Sequence, residues 1–131
     1  MDAAEAAEVL NQCFDGIFST STYALARRGY RRMKAQVVSR SFPVKDGSPE
    51  KFLAAALEAL NHLPVLLLEE PAPACIRVVM GSGAANLNPA VMEIVMTDGM
   101  CCVTAWAKEG LIHQKTAEKA IDRFQTLMES V

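Results

Sequence analysis

One dipeptide, Asp98-Gly99, constrains the fold of this chain more than any other feature. It separates two runs rich in apolar and β-branched residues, 90–97 and 100–107, and Asp-Gly suits the two positive-φ positions of a type I′ turn. A two-residue turn fixes the register. Thr97 then faces Met100, Met96 faces Cys101, Val95 faces Cys102, Ile94 faces Val103, Glu93 faces Thr104 and Met92 faces Ala105. Side chains alternate across a strand, so Met92, Ile94, Met96, Cys101, Val103 and Ala105 share one wholly apolar face, expected to pack against helices. Val91, Glu93, Val95, Thr97, Met100, Cys102, Thr104 and Trp106 share the other.

This second face is too apolar for a freely solvated sheet and too polar for a sealed core. Three covers are open: the N-terminal helix, a second copy of the chain, or a ligand or protein partner. Trp106, Val91, Val95, Met100 and Cys102 are therefore the candidate interface or binding residues. Self-association through this face, as a homodimer, is the leading functional expectation.

The remaining elements follow from periodicity and punctuation. Ala3, Ala6, Ala7, Leu10, Cys13, Phe14, Ile17 and Phe18 recur at helical spacing and predict a helix over 2–18. A second helix over 22–34 is expected from Tyr23, Ala26, Tyr30 and Met33, with a hairpin turning at Arg28-Gly29 as the competitor. Residues 36–44 read as a strand. Ser48-Pro49-Glu50 supplies an N-cap, the favoured proline of the first turn and a carboxylate near the positive end of the dipole, starting a helix that Pro64 stops. Two short apolar runs, 65–70 and 75–80, read as strands, and Thr116 is expected to cap a final helix over 116–131. The fold class is α+β: an antiparallel sheet of four to five strands, in the order β-α-β-β-β-β-α, packed by the helices near 48–63 and 116–131 and preceded by one or two N-terminal helices.

A length of 131 residues suits a single domain, divided here into a helical segment 1–35 and an α+β core 36–131. The longest apolar run falls far short of the roughly 20 residues of a membrane-spanning helix, and the acidic start lacks the features of a secretory signal. A cytoplasmic location is expected. The four cysteines, at 13, 75, 101 and 102, form no CxxC pair and read as reduced thiols. Cys101 and Cys102, adjacent on a strand, point to opposite faces and are poorly placed to ligate one metal. Neither a metal nor a cofactor is expected.

Arg27, Arg28, Arg31, Arg32 and Lys34 form a basic patch around Tyr30, despite a net charge of −2. Such a patch can neutralise phosphates or meet an anionic surface, or it can be a solvated helix face. Gly81-Ser82-Gly83 follows a strand, but lacks the third glycine of a phosphate-binding loop and leads into a strand, so it reads as a hairpin loop. His113 with Glu109 and Lys108 is the one polar cluster near the mouth of the helix-sheet sandwich, and it reads as a loop. No triad motif is present, no catalytic residue is assigned, and the expectation leans away from an enzyme.

The order strand, helix, several antiparallel strands, long C-terminal helix resembles that of START-like helix-grip domains over residues 36–131, in element order and without a shared residue motif. The resemblance implies a groove between the last helix and the sheet, where Met92, Met96, Phe124, Leu127 and Met128 could line an apolar pocket. A carrier of a small apolar molecule is thus the second functional expectation. A filled core built from the same residues is the alternative.

Overall fold

The computed structural model describes residues 1–17, 30–45, 48–72, 75–81, 88–108 and 115–130, with the side chains of 14–17 outside that set. Its elements are α1 (Ala3–Ile17), β1 (Ala35–Pro43), α2 (Pro49–Asn61), β2 (Val65–Leu67), β3 (Ile76–Met80), β4 (Ala90–Thr97), β5 (Met100–Lys108) and α3 (Thr116–Ser130). The predicted helix over 22–34 lies mostly outside the described residues, although 30–32 are helical. Arg27, Arg28, Glu109, His113 and the loop beyond Gly81 fall outside as well.

All five strands join one antiparallel sheet in the order β1-β5-β4-β3-β2. Strands β2 to β5 form a meander, and β1 pairs along the whole of β5, from Ala35 opposite Lys108 to Pro43 opposite Met100. The hairpin register is the one that Asp98-Gly99 dictates, from Thr97 opposite Met100 through Met92 opposite Ala105. Asp98 and Gly99 have φ of 51° and 76°, the paired left-handed conformation of a type I′ turn. The carbonyl of Gly99 also accepts the Val44 N–H at 3.0 Å, which ties the end of β1 to the turn.

Helices α2 and α3 cover the apolar face. Phe52, Ala56, Ala59 and Leu60 of α2 and Ala117, Ala120, Ile121 and Phe124 of α3 pack with Ile76, Val78, Met80, Met92, Ile94, Cys101 and Val103 in the larger core. Phe52 and Phe124 are its largest fully buried side chains, and burying each contributes about 1.5–3 kcal/mol. The guanidinium of Arg40 on β1 donates to Asp122 and to Gln125 of α3, joining that helix to the edge of the sheet.

Helix boundaries differ from the sequence reading in instructive ways. Ser48 has the extended backbone of an N-cap, but its hydroxyl donates to Glu50 Oε2 at 3.1 Å instead of accepting a backbone N–H. At α3, the Lys119 N–H donates to the Lys115 carbonyl, so helical bonding begins one residue before Thr116. The Thr116 hydroxyl is buried and accepts from Asn88 Nδ2 at 2.7 Å. Thr116 therefore anchors the helix to the approach to β4 and is not its cap. Strand β2 also ends at Leu67, because Leu68 is already bending away.

Candidate ligand-binding groove

The second sheet face is covered over half its length by the N-terminal helix. Asp2 caps α1, its Oδ1 accepting the Glu5 N–H at 2.8 Å, and the apolar stripe of the helix then seats Ala6 and Leu10 on the sheet. These pack with Tyr30, Val79, Val91 and Trp106 in a second, smaller core, in which Trp106 is 5% exposed and Val91 fully buried. Of the three covers open to this face, the chain supplies the first itself. Trp106 and Val91 are thus packing residues beneath α1 and present no free surface. The hairpin half of the face stays more open: Val95, Met100 and Cys102 are half-buried, and Ser39 and Ser41 on β1 are exposed.

Lys108, at the end of β5 on this same face, is buried, with 2% of its surface exposed. Its ammonium donates to Asn11 Oδ1 of α1 at 2.6 Å and to the carbonyls of Tyr30 and Arg31 at 3.2 and 3.4 Å, and lies 5.0 Å from the Tyr30 ring centre. Desolvation and the nearby Arg31 push its pKa down. All three ammonium donors are engaged, so Lys108 acts as a staple between α1, the segment before β1 and the sheet. Further along the face, Arg77 and Glu93 sit opposite each other on β3 and β4, with Arg77 Nε 3.0 Å from Glu93 Oε2. Burial alone would raise the Glu93 pKa; the Met1 ammonium, 2.8 Å away, and the Arg77 guanidinium hold it below the ordinary carboxylate range. Glu69 adds a 3.4 Å contact to Arg77. These groups neutralise one another and fix two strands.

Cys101 lies fully buried in the larger core and Cys102 on the opposite face, where the Ser41 hydroxyl donates to Cys102 Sγ at 3.4 Å. Burial pushes the Cys101 thiol up to about 12. Among the described residues no three His, Cys, Asp or Glu side chains converge as a metal site would require. In the basic segment Arg31, Arg32 and Lys34 are exposed.

The concave site best suited to a ligand lies at one end of the larger core, where the end of β1, the start of α2 and the end of α3 meet. Its cavity of about 280 Å³ is lined by Phe42, Pro43, Val44, Phe52, Ala55 and Met128, with Lys45, Lys51 and Glu129 at its borders. Phe42 and Phe52 are buried and form its floor; Val44, Ala55 and Met128 are half-buried walls; the three charged residues are exposed. The groove exists because Pro43 ends the pairing of β1 with β5 while α2 begins only at Pro49, leaving a gap beside the last turn of α3.

Of the five groove residues expected from sequence, Met128 lines this site. Met92 and Phe124 are fully buried, and Met96 and Leu127 pack against the core as partly buried neighbours. The space beneath α3 is therefore filled, and the groove opens where the core tapers. Sequence reasoning missed Phe42, Val44, Phe52 and Ala55 as site residues because their spacing is that of ordinary core stripes. The sequence matches no protein-family model and no curated protein.

Proposed function

We propose that this protein is a non-enzymatic binding module whose groove between β1, α2 and α3 takes a small apolar molecule. The observation that carries this reading is the apolar cavity floored by the buried Phe42 and Phe52. A pocket that is apolar within and has a few polar groups at its mouth suits a ligand buried tail-first. Its volume equals about nine water molecules at roughly 30 Å³ each, so the buried tail has on the order of ten non-hydrogen atoms. Lys45, Lys51 and Glu129 make the border of the groove polar.

Displacement of an environment-sensitive dye by decanoate tests the reading. Saturable one-to-one displacement is expected, lost in Ala55→Trp, which fills the groove from a half-buried position. If dye and decanoate both fail to bind the folded protein, the groove has no such role.

Self-association through the second sheet face is the other reading, now confined to its open half. It is favoured by the half-buried apolar side chains of Val95, Met100 and Cys102 in that half. Binding of nucleic acid by the basic segment rests on exposed Arg31, Arg32 and Lys34 alone. A low-salt mobility-shift titration decides that case, since phosphate contacts weaken steeply as salt rises.

A further inference from the structure

The two edges of the sheet are built differently. On β1, Gln36, Arg40 and Pro43 interrupt the edge with the polar, charged and proline residues that discourage strand pairing. On β2 the guard is only Pro64 and the brevity of the three-residue strand: Leu66, Leu67 and the adjoining Leu68 are 69%, 41% and 36% exposed, and no charged residue falls between Pro64 and Leu68. An exposed apolar edge strand is a template for another strand.

Backbone geometry identifies where pairing would occur. The Pro64 carbonyl accepts from the Gly81 N–H at 3.0 Å and the Leu68 N–H donates to the Arg77 carbonyl at 2.9 Å, with Leu66 opposite Val79 between them. Even-numbered residues therefore turn their backbone groups toward β3, and Val65 and Leu67 turn theirs off the sheet. The Val65 N–H is already taken by the Leu63 carbonyl at 2.9 Å. Leu67 is left with both its N–H and its carbonyl directed outward.

We propose that β2 pairs with β2 of a second copy of this chain, antiparallel about a twofold axis at Leu67, joining two five-stranded sheets into one continuous sheet. In this register Leu67 faces Leu67 of the partner subunit and exchanges two backbone hydrogen bonds with it. Leu66 faces Leu68 of the partner subunit, and the reverse pair repeats the contact. The run of leucines thus meets itself, while Glu69 and Glu70 lie beyond the bend at Leu68 and outside the paired stretch. This self-complementarity of the leucine run selects a second copy over an unrelated strand. On the helical side, each Leu67 lies at a groove formed with Leu57, Leu60 and Leu63, which extends the apolar contact. So short an edge belongs with the smaller, reversible interfaces.

Sedimentation velocity across a concentration series tests this with wild type, Leu67→Pro and Leu66→Lys. Leu67→Pro removes an N–H that bonds nothing within the protomer, and Leu66→Lys places a charge in the cross-strand contact. Wild type is expected to move from monomer to dimer with concentration, and each variant to weaken association at least tenfold while keeping the wild-type far-UV spectrum. If Leu67→Pro loses its fold, Leu66→Lys alone decides. A wild type that stays monomeric throughout, or a dimer that survives Leu66→Lys and is lost in Val37→Lys, overturns the proposal.

Discussion

Replacing Trp106 by alanine measures how firmly α1 is part of the fold. Trp106 is 5% exposed among Ala6, Leu10, Tyr30, Val79 and Val91, so truncation removes nearly all of a large buried contact. Taking about 200 Å² of buried aromatic surface at about 25 cal/mol/Å² gives about 5 kcal/mol. Residual burial in the unfolded chain lowers this to about 3–4.5 kcal/mol. That is a large share of the roughly 5–15 kcal/mol stability of a typical domain. Urea denaturation followed by far-UV circular dichroism is the assay, since the variant lacks the only tryptophan. Val37→Ala, at a position 57% exposed on the same side of the sheet, serves as the control and should cost under about 0.5 kcal/mol. A double-mutant cycle with Leu10→Ala should return a coupling of about 0.5–3 kcal/mol, because the two side chains share one cluster. A Trp106→Ala loss below about 1 kcal/mol, with no coupling to Leu10, would refute the argument that α1 seals this face.

Lys108→Met removes the ammonium that holds Asn11 Oδ1 and the carbonyls of Tyr30 and Arg31; leaving those acceptors without it should cost about 1–3 kcal/mol in the same urea assay. The Cys101 thiol, pushed up to about 12 from an ordinary value of 9, is protonated in both folded and unfolded chains below pH 9. Above that the unfolded chain ionises first, so stability should fall as pH climbs from about 9 toward 12, and Cys101→Ala should flatten that part of the fall when denaturation midpoints are compared across pH.

The hairpin was legible in the sequence because a two-residue turn and a period-two pattern leave one register, and the faces it assigns are the faces observed. The sequence did not say which cover the second face receives, since Ala6 and Leu10 form a stripe that could equally have met another chain. Only the path of α1 onto β5 and β4 decides it. The role of Lys108 was hidden for a related reason: a lysine at a strand end reads as solvent-facing, and its acceptors come from positions 11, 30 and 31, far away in sequence. The groove was placed beneath α3 by analogy of element order. Methionine and phenylalanine stripes fill that space, and the opening instead arises from where β1 stops and α2 starts. The leucines of β2 read as one more apolar strand, because periodicity cannot distinguish an edge from a centre.

Methionine-methyl NMR gives the most direct test of the binding proposal. The seven methionines sample the groove, the larger core and the second face, with Met128 in the groove and Met92 fully buried beneath α3. On titration with decanoate the Met128 methyl is expected to shift saturably while Met92 holds its position. A Met128 signal that never moves, or one that moves only together with every other methyl, would contradict a ligand seated between β1, α2 and α3.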